Sequence, residues 1–457
     1  MPLGIHPGIC PGGGGGHGQT GAGYGRECGA GRIPGWSGSG SVGLGLTWPQ
    51  IHDPVYPNLY FLFQDLFGIE ISALKLVNSF GLLVALAFVA ASALLRRELQ
   101  RKEQEGRLEA MESKVWVGKP QGPMAWASSA LLGFVLGWKV LWLLINASDL
   151  FQGSGPPQQH LFSGEGYPLL GLVGAVALGL LRRKEDLKQR LEKPEEKTVA
   201  VHPWERTGTI TMVAAIGGVV GAKFFHLLEY PDELVAFFRE PSLQSFLGGL
   251  TIYGGLIVGG LAVAAYARRV RIPFLHLADA TAPGLILAYG IGRMGCQISG
   301  DGDWGIPNPN PKPDWLSWAP DWVWSYSFPN NVNAVYGPRP AGYTGKLITE
   351  NDPWPIFEGF GTYLDPGVYP TSFYETLMAT VIFAFLWSMR KRWAAPGFLF
   401  GVYLMFNGVE RFFIEKIRVN AEMNWLGLMF TQAELISTLT FLGGLALTIW
   451  VSRRSKG

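Results

Sequence analysis

The sequence predicts an all-α polytopic integral membrane protein with about nine transmembrane helices, its N-terminus outside and its C-terminus cytoplasmic. Three observations carry this. Of the 457 residues 48% are hydrophobic and only 16% charged, against roughly a quarter charged in an ordinary soluble protein. Apolar runs recur at lengths that cross a hydrocarbon core of about 30 Å. Basic clusters alternate along the chain in the way membrane orientation requires. A soluble enzyme or scaffold is thereby excluded. The net charge of +2, from 37 Lys and Arg against 35 Asp and Glu, argues against a nucleic-acid partner, whose protein would be strongly basic.

Residues 1–46 are crowded with glycine, including Gly12 to Gly16, and hold little that could form a core, so disorder is expected. A translation start placed too far upstream would yield such a tail. It has no basic region leading into an apolar one, and so no recognisable signal peptide. The nine apolar segments fall at about 71–95, 123–147, 163–181, 209–229, 246–267, 277–298, 371–389, 396–417 and 432–452. Residues 47–122 then comprise an interfacial segment, the first span and a cytoplasmic loop. A helix pair occupies 123–181, central spans 182–299, an external loop domain 300–370 and the last spans 371–457. Each odd-numbered span ends in a basic cluster: Arg96, Arg97, Arg101 and Lys102; Arg182, Arg183 and Lys184; Arg268, Arg269 and Arg271; Arg390, Lys391 and Arg392; Arg453, Arg454 and Lys456. Lys and Arg near span ends are retained in the cytoplasm, which gives the orientation.

The connection from about 300 to 370 carries Trp304, Trp315, Trp318, Trp322, Trp324 and Trp354 among many Pro, Gly and Asn. It reads as a small cap at the membrane interface, where indole rings partition well, or as an ordinary anchored loop. Cys10, Cys28 and Cys296 lack the spacing of a metal knuckle or a disulfide framework, and no histidine pair has zinc-ligand spacing. No metal and no cofactor are expected.

A charge inside a span costs several kcal/mol unless paired or facing a polar cavity, so intramembrane ionisable residues are the candidates. One group runs from Gly292 to Gly305, at the end of the sixth span. Arg293 there is flanked by glycines, Cys296 follows, and Asp301 and Asp303 lie just beyond. The other is Glu410-Arg411-Phe412-Phe413-Ile414-Glu415-Lys416-Ile417-Arg418, where helical spacing puts Arg411, Glu415 and Arg418 on one stripe. The carboxylate of Glu415 is expected to neutralise both guanidiniums. Arg293 and Arg411 would make a fork for a lipid phosphate, or an interhelical salt bridge that only fixes packing. Tyr253-Gly254-Gly255-Leu256 reads as a small-residue helix contact with a polar handle at Tyr253. Asp279 reads as a cap at the start of the sixth span, and Tyr374 and Glu375 as caps of the seventh.

Taken in order, these motifs resemble prolipoprotein diacylglyceryl transferases over about residues 70–455. The family's G-A-R appears as Gly221-Ala222-Lys223 and its H-G-G-L as Tyr253-Gly254-Gly255-Leu256. D-x-x-A-P appears as Asp279 to Pro283, and the signature G-R-x-G-N-x-x-N-x-E-x-x-G as Gly292 to Gly305. H-P-S-Q-L-Y-E becomes Tyr369 to Glu375, and R-F-x-x-E-x-x-R is complete as Arg411, Phe412, Glu415 and Arg418, with Thr431-Gln432 opening the last helix. Tyr253 stands for a family histidine and Cys296 for an asparagine. The signature is one residue longer, with Asp301 or Asp303 for glutamate. Phe80 and Asn407 stand for tyrosines.

The resemblance implies a core of seven spans, so the pair at 123–181 looks inserted and the cap periplasmic, in a bacterial inner membrane. It also implies transfer of the diacylglyceryl group of phosphatidylglycerol to the lipobox cysteine of preprolipoproteins, with release of sn-glycerol 1-phosphate. Arg293, Arg411, Tyr253 and Glu415 would be catalytic. Arg418, Asp301, Asp303, Gly254, Gly255, Gly305, Asn407 and Cys296 would join the arginines at the substrate. The partners implied are phosphatidylglycerol, the lipobox peptide and membrane lipid. The thiol's proton would go to Tyr253, or the arginine field would suffice to form the thiolate. A phospholipid-binding protein with altered catalysis and an anionic-solute transporter are the alternatives.

Overall fold

The computed structural model describes residues 55–146, 163–191, 194–239, 249, 251–333, 336–339, 341–393, 395–420, 422–425 and 428–455. The glycine-rich tail, with Cys10 and Cys28, lies outside them. Helix α1 (Leu59–Phe67) starts where the Asn58 side chain accepts from the Phe61 amide at 3.3 Å and stops at Gly68, whose φ of 65° suits a left-handed C-cap. The first long helix, α2 (Ser79–Gln104), begins later than the hydropathy suggests. Residues 72–76 form a separate 3-10 turn, and Asn78 caps the helix by accepting from the Gly81 amide.

The other expected apolar segments also fall on helices: α3 (Pro123–Ile145), α4 (Pro168–Gln189), α5 (Thr207–Glu229), α7 (Ile252–Arg269), α8 (Phe274–Ser299), α9 (Thr371–Met389), α10 (Phe398–Glu415) and α11 (Gln432–Arg454), with the short α6 (Pro231–Arg239) after α5. Among the described residues six helices are long and apolar enough to cross a membrane: α2, α3, α5 with its leading turn, α8, α9 and α11. Of the other three, α7 closes on Arg268 and Arg269, α10 carries Glu410, Arg411 and Glu415, and α4 is charged through its second half. The protein is a mostly helical polytopic membrane protein.

Between α2 and α5 the chain does something hydropathy does not announce. Strand β1 (Met111–Val117) and strand β2 (Glu195–Val201) pair antiparallel in a ladder from Met111–Val201 to Val117–Glu195. Everything from α3 to α4 therefore leaves and re-enters through one end of the ribbon, where Val117 faces Glu195. Helices α3 and α4 meet at glycines: a Cβ on Gly133 would lie 2.1 Å from the Gly174 carbonyl oxygen. Lys139 is buried within this pair and donates to the carbonyls of Ser163 and Glu165 at 2.8 and 2.6 Å. Helices α2 and α4 both carry Leu-Leu-Arg-Arg in their C-terminal halves, at 94–97 and 180–183, and each leads into one strand of the ribbon.

The core splits by level. At the basic end Leu95, Leu99, Ile210, Ala267, Ile272, Leu277 and Ala280 bind α2, α5, α7 and α8 together. Further along, Ile286, Ala379, Ile382, Leu386 and Leu399 join α8, α9 and α10. The basic end is also latched by charge. Glu98 accepts from Arg101 and from Arg390 at the end of α9, and Lys102 lies 3.8 Å from Asp279. Asp279 does not cap its own helix, as the sequence suggested. It accepts from the amides of Gly397 and Phe400 at 2.8 and 2.9 Å and so caps α10, whose N-terminus needs such acceptors.

At the opposite end residues 300–370 fold into a cap. Strands β3 (Gly337–Pro338), β4 (Thr344–Leu347) and β5 (Thr362–Asp365) form a three-stranded antiparallel sheet. Its core holds Val55, Trp304, Tyr326, Phe328, Leu364 and Val368, with Trp322 packed against it. The tryptophans therefore divide: Trp304 and Trp322 build the cap, whereas Trp315 and Trp318 are exposed at 71% and 81%. Beyond it, β6 (Glu422–Trp425) and β7 (Leu428–Thr431) make a hairpin, and Thr431 with Glu434 forms a capping box on α11.

The ribbon yields a test. Replacing residues 118–194 with Asn-Gly joins Val117 to Glu195 through a two-residue turn that an antiparallel pair accepts. The shortened protein should extract from membranes monodisperse and unfold within a few degrees of the parent in a detergent thermal scan. Aggregation on extraction would show that the core depends on α3 and α4.

Candidate active site

The site lies where the cap-side ends of α8 and α10 meet the start of α9. Glu375, the fifth residue of α9, has no solvent exposure. Arg293 of α8 binds it through Nε and Nη2, Arg411 of α10 donates from Nη1 at 3.2 Å, and Arg418 Nη1 lies 3.6 Å away. Three guanidiniums thus converge on one carboxylate. Isolated charges of either sign would be prohibitive at this depth, so each depends on the others.

Asp303 supplies the second anchor. Arg293 Nη1 and Arg418 Nη2 each pair with one of its carboxylate oxygens. The loop that carries it is fixed by Thr371 and Ser372, whose hydroxyls donate to the Asp303 carbonyl at 3.0 and 2.9 Å. Burial alone would raise the Asp303 carboxyl, but the two arginines bring it down to about 2, so it is ionised at any physiological pH. Burial raises Asp301, whose Oδ1 accepts from the Asp303 amide at 3.2 Å.

Gly305 locks the same loop to the chain after α10. Its amide donates to the Tyr369 carbonyl at 2.9 Å, it bridges to Arg418, and a Cβ there would lie 2.5 Å from the Ile417 carbonyl oxygen. No other residue type fits so close an approach. Arg418 therefore belongs to the loop rather than to the helical stripe expected of it. Helix α10 ends at Glu415, so Glu415 pairs with Arg411 at 3.0 Å while Arg418 turns to Asp303 and Glu375.

The remaining expected residues divide. Cys296 is buried with Sγ 3.7 Å from Arg293 Nη1 and 3.8 Å from Asp303 Oδ2. Tyr253 is half-buried at the start of α7, within electrostatic range of Arg411. Asn407 is half-buried one turn before Arg411. Gly254 and Gly255, expected at the substrate, lie at the crossing of α7 on α5, where a Cβ on Gly254 would come 2.4 Å from the Gly221 carbonyl oxygen. Phe80 of α2 packs over Gly295.

Three residues were read too blandly or missed. Glu375 is the hub of the cluster, not a cap. Tyr289 of α8 puts its hydroxyl 3.0 Å from Glu375 Oε1 and 3.2 Å from Oε1 of Glu410, a carboxyl 4% exposed on α10. Tyr289 lies four residues before Arg293, one turn away on the same helix, and that spacing was the available signal. Cys296, Asp301 and Asp303 offer ligand atoms within 4.8 Å of one another. The two guanidiniums on Asp303 already occupy its oxygens, and their charge opposes a cation there.

Buried cations held by a near-equal set of carboxylates make a preorganised receptor for an anion. A sequence profile described as Prolipoprotein diacylglyceryl transferase matches residues 165–450. The match opens just ahead of α4 and so leaves out α2, the helix that packs on α8 at Gly295. The chain is 29% identical to the phosphatidylglycerol–prolipoprotein diacylglyceryl transferase of Corynebacterium efficiens, over 54% of this chain and 67% of that one. It is 27% identical to that of Bifidobacterium adolescentis over 55% and 70%, and 26% identical to that of Chromohalobacter salexigens over 63% and 86%. With the profile spanning most of the chain and both arginine motifs meeting in one cluster, the chain belongs to the prolipoprotein diacylglyceryl transferase family.

Proposed function

We propose that this protein transfers the diacylglyceryl group of phosphatidylglycerol to the lipobox cysteine of preprolipoproteins in a bacterial inner membrane, as an enzyme of nine spans with the cap periplasmic and the C-terminus cytoplasmic. The observation that carries the reading is the convergence of Arg293, Arg411 and Arg418 on Glu375, in which Arg418 Nε and Nη1 are buried without a hydrogen bond. A buried donor left unpaired costs about 1–3 kcal/mol, and a phosphate oxygen would satisfy it. The names of the relatives supply the substrate class. The basic ends of α2 and α9, latched together through Glu98, support the alternating orientation. The ribbon supports reading α3 and α4 as an inserted pair.

In this reaction the substrate sulfur bonds to the glyceryl carbon as the bond from that carbon to the phosphate oxygen breaks, and glycerol phosphate leaves. Arg411, at 26% the most exposed of the three guanidiniums, meets the phosphodiester first. Arg293 and Arg418 stand behind it to stabilise the charge that grows on the departing phosphate, an electrostatic effect worth a few kcal/mol in a dry site. Glu375 and Glu415 orient the guanidiniums. A free cysteine titrates near 8.5, and a cationic surrounding lowers that value, so the arginine field favours the thiolate. Tyr253, half-buried at the start of α7 and within electrostatic range of Arg411, is the phenol we assign to take the proton.

Purified protein with phosphatidylglycerol micelles and a lipobox peptide should yield thioether-lipidated peptide and free glycerol phosphate. Arg411→Ala should abolish both. Glu375→Gln, which keeps the shape and removes the charge that gathers the arginines, should lower kcat/KM at least about 100-fold, or about 2.7 kcal/mol. Well-folded native protein that forms no product with several phospholipids would refute the transferase reading. Cys296→Ser should stay within about tenfold of native activity, about 1.4 kcal/mol of barrier; a larger loss would make this thiol a participant.

A further inference from the structure

Glu410 stands apart from the other carboxyls of the cluster. Glu375, Glu415 and Asp303 each face at least one guanidinium, whereas among the described residues no cation pairs with Glu410. It is 4% exposed, its Oε2 has no hydrogen-bond partner, and its Oε1 has only the Tyr289 hydroxyl at 3.2 Å. That hydroxyl is also 3.0 Å from Glu375 Oε1.

The proton inventory of this bridge is decisive. A phenol has one proton and can donate once, yet two carboxyls contact it. Glu375, surrounded by three guanidiniums, takes the donated bond as an anion. The contact with Glu410 is then a hydrogen bond only if Glu410 carries a proton and donates it to the phenol oxygen. An ionised Glu410 would instead leave a second anion against Tyr289, buried and unpaired, which is the costly arrangement.

The groups that face Glu410 agree. From α8 come Tyr289 and Arg293, from α9 Glu375, and from its own helix Tyr403 and Arg411. Helix α11 sets Ser437 and Phe441 against Gly408 and Thr448 against Gly401, and its Glu434 pairs with Lys416 just past the end of α10. With Glu410 neutral, three guanidiniums balance Glu375, Glu415 and Asp303. With Glu410 ionised, a further carboxylate that no guanidinium contacts would join them.

We propose that Glu410 is a neutral carboxylic acid whose proton, donated to Tyr289, holds that hydroxyl on Glu375, and that loss of this proton at high pH weakens binding of an anionic phosphodiester headgroup. Glu410 is thus a positioning residue. The headgroup half of the inference rests on the transferase reading above; the protonation half does not.

Infrared difference spectra of native protein against Glu410→Gln test protonation directly. The carboxylic C=O stretch, well separated from carboxylate bands, should be present in native protein and lost in the variant. Its absence from native protein, or its survival in the variant, would overturn the proposal. Kinetics test the consequence. The native KM for phosphatidylglycerol should climb from neutral to alkaline pH by up to about tenfold per unit, the limit for release of one proton. Glu410→Gln should keep a neutral-pH kcat within about threefold of native and lose that climb, and Tyr289→Phe should raise KM at all pH values. An unchanged alkaline climb in Glu410→Gln would overturn the headgroup role. A native protein with the carboxylic band but no turnover would refute the transferase reading and leave the neutral acid standing.

Discussion

Glu375 sits without solvent exposure among three guanidiniums at the depth of a membrane-spanning helix. Arginines there would repel one another and incur the full cost of leaving water; the carboxylate makes their assembly possible. Removing it would leave Arg411 paired with Glu415, and Arg293 and Arg418 sharing Asp303, a pair and a separate triad in place of one receptor. The convergence of α8, α9 and α10 at the cap end follows from this requirement, since each contributes charge the others need.

The rest of the fold serves to hold those three helix ends. At the basic end Asp279 caps α10 while Lys102 of α2 lies against it, and Glu98 ties α2 to Arg390 of α9. Apolar packing of Ile286, Ala379 and Leu399 sets the spacing of α8, α9 and α10 midway. At the cap end Gly305, Thr371 and Ser372 fix the loop that brings Asp303 to Arg293 and Arg418. Rigidity on both sides is what an electrostatic site demands, because preorganised charge does not spend energy reorienting during the reaction.

Local interactions were legible in the sequence and distant ones were not. Arg411 and Glu415 pair as their four-residue spacing requires, and the apolar segments coincide with helices because hydropathy is a local property. Glu375 lies 82 residues from Arg293 and 36 from Arg411, so only its place in a family motif hinted at its role. The same limit hid the ribbon, whose strands are separated by α3 and α4, and the capping of α10 by Asp279. Arg418 was misread for a different reason: periodicity extends a helix that the backbone ends at Glu415. Gly254 and Gly255 show the reverse case, glycines of a family motif that close packing against α5 accounts for.

Glu375 and the arginines act as one unit, and a double-mutant cycle on phosphatidylglycerol affinity tests this. Affinity would be measured for native protein, Arg411→Gln, Glu375→Gln and the double variant, each checked for folding. Coupling of at least about 1 kcal/mol between the two positions is expected. Effects that simply add would contradict it, and would reduce the carboxylate to a packing element beside an independent lipid site.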